Sequence, residues 1–159
     1  MDIQKAQINE IEVILSIYAF ARKFMAENGN PDQWKNTYPT TATLINDINN
    51  QNLYVIKENN EIHAVFAFII GKDETYTYIN GKWLSDDEYG TIHRVASDGQ
   101  IHKVLDTIID FCTQKISHLR IDTHHDNTIM QHLIEKNNFK KCGIIYLSDN
   151  SPRIAYEKI

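Results

Sequence analysis

The sequence predicts a single α/β domain spanning residues 1–159, and three observations carry that prediction. Segments of two-residue alternation interleave with segments of 3.6-residue apolar periodicity along the whole chain. No internal repeat, low-complexity linker or shift of composition divides them. Hydrophobic residues make up 42% and charged residues 23%, the balance of a folded chain rather than a disordered one.

In order, the elements read β-αα-ββ-β-α-β-α-ββ. Residues 2–6 are a short extended opening. From Ile8 to Glu27, residues Ile11, Ile14, Leu15, Tyr18, Ala19, Arg22 and Met25 recur at helical spacing, and Asn28-Gly29 is a stop. Residues 30–39 form a loop with two prolines and a tryptophan. Thr40 or Thr41 caps a second helix with Leu44, Ile45 and Ile48 on one face. Residues 53–58 and 61–70 are strands joined at Asn59-Asn60, a two-residue hairpin turn whose positive φ asparagine tolerates. The second strand is apolar on both faces towards its end, as expected at the centre of a covered sheet.

Residues 71–90 are a long polar-aromatic excursion, with Asn80-Gly81 as the turn of a small hairpin. Residues 91–97 are a strand and Asp98-Gly99 a turn. A helix over 101–116 points Ile101, Val104, Leu105, Ile108, Ile109 and Cys112 inward. A strand follows at 118–123, then a helix over 128–137 with Ile129, Met130, Leu133 and Ile134 inward. Residues 142–148 and 153–158 are the last strands.

Composition also excludes. A net charge of −5 and a pI near 5.8 give no reason to expect nucleic acid or an anionic membrane as partner. Only 6 glycines occur, too scattered for a GxGxxG or GxxxxGK[ST] loop. Cys112 and Cys142 are too few for a disulfide framework and read as buried thiols of a reducing compartment. No basic segment followed by an apolar run suggests a signal peptide, and no apolar stretch nears the ~18 residues of a membrane span, so a cytoplasmic protein is expected. His118, His124, His125, Asp126 and His132 lack metal-site spacing, so no metal is expected.

Two segments carry a family resemblance. The first runs from Val95 through Gln100 and Lys103 to Leu105, on the strand–turn–helix. The second runs from Asn127 through Leu133, Glu135 and Lys136 to Phe139. With the element order, they resemble the GNAT acyltransferases, which use acyl-coenzyme A. Asp73–Tyr76, Gly81–Trp83 and Tyr89–Ser97 are similar to a subgroup of small bacterial members. Four positions depart from the pattern: Lys103 and Leu105 stand where glycine, or glycine or alanine, is usual, and Ile134 replaces a tyrosine. Asn138 also replaces a glycine.

The resemblance implies a mixed, mostly antiparallel sheet of about six or seven strands with about four helices on both faces. It also implies a splayed central parallel strand pair and acetyl-coenzyme A as cosubstrate. Residues Val95, Ser97, Gln100, Ile101, His102, Lys103, Val104, Leu105, Asn127 and Lys136 would bind the cofactor. The physical basis is a helix start, whose free N–H groups and dipole suit a pyrophosphate. Lys103 either contacts phosphate as a point charge or is a solvated first-turn residue; if its φ is positive, the strain is on the order of 1–2 kcal/mol. Asn127 pairs with the pantetheine arm, caps the helix, or does both.

The implied reaction is direct attack of an amine on the thioester. The Val95 N–H would face the thioester oxygen as one arm of an oxyanion hole. His93 is the first candidate for general base, taken by strand alternation to share a face with Val95, with a water relay from Glu88 or His125 as an option. Tyr146 or Tyr156 would supply the acid that Ile134 cannot, although a thiol of pKa near ~8.5 leaves tolerably as the anion. Trp34, Tyr76, Trp83 and Tyr89 either line an acceptor slot or cover the sheet edge; Arg94 points away from His93 and pairs with a carboxylate. The acceptor would be a small amine or a protein N-group, and the protein a monomer or homodimer. The rival reading is a degenerate GNAT-fold module that binds coenzyme A weakly or regulates.

Overall fold

Glu61–Ile70 is the most continuously apolar stretch of the chain, and the computed structural model, which describes residues 1–159, places it near the middle of one eight-stranded sheet. The strands are β1 (Asp2–Lys5), β2 (Leu53–Glu58), β3 (Glu61–Ile70), β4 (Asn80–Gly81), β5 (Gly90–Ser97), β6 (Leu119–Thr123), β7 (Lys140–Tyr146) and β8 (Pro152–Lys158). Their order is β1-β2-β3-β5-β6-β8-β7-β4. Every pairing is antiparallel except β5 with β6. The sheet therefore has one strand more than the six or seven expected.

Strand alternation divides the core. Tyr54, Ile56, Phe66, Phe68, Ile92 and Ile121 face α3 (Val104–Thr113) and α4 (Thr128–Lys136). Leu53, Val55, Val65, Ala67 and Ala96 face the side of α1 (Ile11–Glu27) and α2 (Thr41–Asn49), where they meet Ile14, Tyr18 and Leu44. In α1 the buried residues are Ile14, Ile17, Tyr18 and Ala21, whereas Ala19 is exposed. Thr40 caps α2 by accepting from the Thr43 amide at 3.1 Å. The β2–β3 turn has φ 51° at Asn59 and 69° at Asn60, the left-handed pair that a two-residue hairpin needs. No helix is long and apolar enough to cross a membrane.

Four expectations fail for tertiary reasons. Asn80-Gly81 is not a hairpin turn but the short edge strand β4, paired with β7 at Gly81↔Gly143. A Cβ on either glycine would strike the opposite backbone, so the two strands meet only because both lack one. The third helix starts at Val104 rather than 101, because Asp98 holds the Gln100 amide at 3.0 Å and Lys103 takes a left-handed φ of 56°. In α4 only Ile134 is fully buried; Ile129 is exposed, and Met130 and Leu133 are partly so. Cys112 is buried, and burial pushes its thiol up to about 12, but Cys142 is only half-buried.

The excursion is anchored by buried charge. Glu157 of β8 is fully buried and accepts from His118 Nε2 at 2.5 Å, Arg120 Nε at 2.6 Å and the Leu84 amide at 2.5 Å. The Arg120 guanidinium lies 3.9 Å from the ring centres of both Trp83 and Tyr89. One carboxylate thus ties residues 83–89 to two strands. Glu157→Ala leaves Arg120 and His118 without their buried counter-charge, and a loss of about 3–5 kcal/mol in urea unfolding is expected. The same variant should be cut faster by protease between residues 82 and 89, which a purely global effect would not localise.

Candidate active site

The cleft begins where β5 leaves β6. The two strands pair only at Gly90↔Leu119 and Thr91↔Arg120, then diverge. A bulge drives the divergence: the β3 register passes from Val65↔Ala96 to Ala67↔His93, so Arg94 and Val95 together oppose one residue. Arg94 sits at φ 53°, a conformation that costs a non-glycine residue about 1–2 kcal/mol. Its surroundings hold it there. Two 2.8 Å bonds join its guanidinium to Asp47, and a third, of 3.1 Å, reaches the Tyr38 hydroxyl. The buried Tyr18 hydroxyl donates to its carbonyl at 2.7 Å. Burial pushes the Asp47 carboxyl up, and Arg94 opposes that shift.

The bulge breaks the expected alternation. Val95 packs with Ile92 towards α3, so it does not share a face with His93. His93 instead turns Nε2 to Asp73, 2.7 Å away, in the excursion. Asp73 also accepts from the Thr75 amide at 2.9 Å and its hydroxyl at 2.6 Å. Burial alone would raise the Asp73 carboxyl, but the bonds from His93 and Thr75 outweigh it and bring the pKa down to about 2. Opposite, Asp122 of β6 accepts from the Tyr76 hydroxyl at 2.6 Å. His124 follows β6; burial and Arg153 lower its pKa, and its Nδ1 accepts the Asp126 amide at 3.0 Å. Asp73, Thr75, His93, Asp122 and His124, with Trp34, Tyr38 and Arg153, line a cavity of about 730 Å³.

A second groove, of about 360 Å³, runs from the start of α3 between α1 and α4. Phe20, Phe24, Ile129 and Leu133 form its apolar walls, and Lys103 and Lys136 lie on it. The α3 start has no side-chain cap, and the amides of Val104, Leu105 and Asp106 have no protein acceptor. Groove and cleft share four lining residues: Met25, Val95, Asn127 and Met130.

Of the residues expected at the cofactor, Val95, Ser97, Lys103, Val104, Leu105, Asn127 and Lys136 line the groove. Gln100, Ile101 and His102 line neither cavity, and Gln100 bonds back to Asp98. The Leu105 side chain is core. Asn127 caps α4 through the Met130 amide at 3.0 Å and donates to Gln33 at 2.9 Å, so the capping role holds. Tyr146 lies outside both cavities, beside Tyr78, because the β7 face it occupies points away from the cleft. Ile134 and Tyr156 are fully buried. Glu88 and His125 do not line the cleft; Asp73 takes the partner position beside His93. Of the four aromatics only Trp34 lines the cleft, while Tyr76, Trp83 and Tyr89 pack behind it. His124, His125 and Asp126 place one potential ligand atom each within 4.8 Å of one another, although the sequence spacing gave no hint of a metal-like group.

Asp122, Arg153 and the Phe20/Phe24 wall escaped the sequence reading, and His124 entered it only among histidines that lack metal-site spacing. Phe20 and Phe24 had a signal, since with Val13 they form an apolar stripe at helical spacing off the core face of α1.

No family model and no curated protein matches the sequence. Among solved structures, a GNAT-family acetyltransferase from Streptococcus agalactiae is 32% identical, with a TM-score of 0.89 over 99% of this chain and 94% of that one. A GNAT-family acetyltransferase from Listeria monocytogenes shares the fold at 13% identity, with a TM-score of 0.74 over 99% and 93% of the two chains. A ribosomal-protein-alanine N-acetyltransferase from Brucella melitensis also shares it, at 13% identity and a TM-score of 0.65 over 100% and 99%. With a one-third-identical relative superposing along nearly its entire length, a parallel pair splayed at Arg94 and a bare helix start beside the cleft, this chain belongs to the GNAT family of acetyltransferases.

Proposed function

We propose that residues 1–159 act as one N-acyltransferase domain that moves an acetyl group from acetyl-coenzyme A to an amine, in the cytoplasm and as a monomer or homodimer. One observation carries the reading: an apolar groove with a free helix start and a polar cleft with a His–Asp pair meet at Val95. The chain's residues fit the cofactor. The unpartnered amides of Val104, Leu105 and Asp106 suit its phosphates, with Lys103 and Lys136 as nearby cations. The apolar walls suit its pantetheine arm. When bound, the cofactor supplies an acyl thioester open to direct attack by a neutral amine.

The protein's part is orientation and proton handling. Val95 has no register partner on either neighbouring strand, and its N–H is the donor we assign to the thioester oxygen. The carbonyl before it is committed to Tyr18, which fixes that peptide plane. His93 takes the amine proton, and the Asp73 carboxylate orients it and stabilises its charged form. No acid is needed for the thiolate, whose pKa near ~8.5 makes it a tolerable leaving group. The binding-only alternative draws on one observation: Ile134 and Tyr156 are buried and Tyr146 lies outside, so none of them reaches the junction.

Titration calorimetry should show acetyl-coenzyme A binding at or below millimolar concentration, and no binding at that level overturns the reading. Lys103→Gly relieves the left-handed strain and should be at least as stable as wild type. Its affinity should fall several-fold at low salt, with the gap closing as salt rises, and equal affinities would remove Lys103 from the site. His93→Ala should lower kcat by about a hundredfold while leaving the affinity for acetyl-coenzyme A unchanged. Asp73, with its folded pKa below its unfolded value, stabilises above pH 3.8, and that contribution is lost as pH falls through about 2. Asp73→Asn should therefore cost about 2 kcal/mol at neutral pH in urea unfolding, and the difference should narrow between pH 4 and 2.

A further inference from the structure

The cleft has two unlike ends. Near β5 its wall carries the Asp73 and Asp122 carboxylates, each already bonded by a neighbour. On the same sheet face, one strand further from β5, stands Arg153 of β8, only 6% exposed. It forms no ion pair with any carboxylate within 4 Å. Its guanidinium donates to the Pro152 carbonyl at 2.8 Å and the Gln33 carbonyl at 3.2 Å, which uses two of its five N–H groups. The carboxylates that act on it, Asp122 and Asp149, do so from beyond contact, and Asp149 is occupied by Ser151.

A buried charge without a counter-charge is costly, and proteins usually pair it. The other buried cations here obey that rule: Arg120 has Glu157 and Arg94 has Asp47. Arg153 departs from it, and it lines the cavity. Lys35 from the 30–39 loop lines the same cavity and adds a second cation. Register places Asp122 opposite Ala155, so Arg153 is its diagonal neighbour, ~7–8 Å along one sheet face. A planar guanidinium with free paired N–H groups matches a carboxylate in two parallel bonds.

We infer that the acceptor is an amino-carboxylate, a free amino acid or short peptide, whose amine lies at the His93–Asp73 end and whose carboxylate lies on Arg153. The inference rests on the acyltransferase reading for the direction of the amine but not for the carboxylate contact. Binding at Arg153 satisfies its remaining donors and the charge that the fold leaves open. It also orients the amine by a second point of attachment, the kind of positioning that raises rate as well as affinity.

The test pairs a panel of L-amino acids with their carboxamides, which keep the amine and lose the charge. With acetyl-coenzyme A present, at least one amino acid should be turned over with a kcat/KM about tenfold or more above its carboxamide. Arg153→Gln should raise KM for that amino acid by about 10- to 100-fold and leave the carboxamide unchanged. Arg153→Lys should recover part of the loss. Without acetyl-coenzyme A, calorimetry across the whole amino-acid panel should show at least one binder whose binding Arg153→Gln abolishes, a readout independent of turnover. O-phosphoethanolamine turned over in preference to every amino acid would overturn the carboxylate assignment, as would equal turnover of acids and amides. Turnover of simple amines alone would do the same while leaving the acyltransferase reading intact. Failure to bind acetyl-coenzyme A would sink that reading but not the calorimetric arm.

Discussion

The left-handed turn at Arg94 is the constraint on which the site depends. A parallel pair that stayed zipped from Gly90 to Ser97 would leave no cleft, no exposed strand edge and no junction between groove and cavity. The bulge inserts one residue, and the strand can no longer follow β6. A residue with Cβ resists that conformation, so the local cost must be offset by contacts that exist only there. Asp47, Tyr38 and Tyr18 supply them from two helices and a loop. The α1 and α2 layer is therefore more than cover for the sheet, because it sets the geometry of the opposite strand edge.

Scarce glycine is part of the same pattern. Positions 103 and 138, where the family pattern expects glycine, keep the conformation that glycine would favour: φ is 56° at Lys103 and 68° at Asn138. The backbone path is retained while the residue type changes. At 138 asparagine accepts the conformation at little cost, and the Phe139 amide still reaches back to Ile134 as a helix end requires. At 103 a lysine accepts it at greater cost and brings a cation to the groove.

Buried charge is used in two ways. Glu157 supplies the counter-charge to Arg120 and His118 and fixes a polar-aromatic excursion from beneath. That fixation brings Asp73 to His93 across the sheet edge. Arg153 is buried to a similar degree and left without a carboxylate. The difference separates a structural charge, closed within the fold, from one that remains open towards the cleft.

Much was legible in the sequence. The order and type of the elements follow from apolar period, and the β2–β3 turn, the Thr40 cap and the inner face of α3 follow from residue chemistry. So did the family, through two segments whose spacing survives four unusual residues, and the expectation of a carboxylate partner for Arg94. What period and spacing do not contain is which residues meet across the sheet. Asp73 lies 20 residues from His93, Asp47 lies 47 from Arg94, and Gln33 lies 120 from Arg153. The bulge that turns Val95 away from His93 breaks the period-two rule on which the facing argument rests, and nothing in the strand's composition marks it. The sequence by itself determined the layers, the family and the presence of a helix start beside a strand. Tertiary structure alone decided which charges are paired, which is left open and which tyrosines fall outside the cleft, because those outcomes depend on distances between segments that local chemistry does not encode.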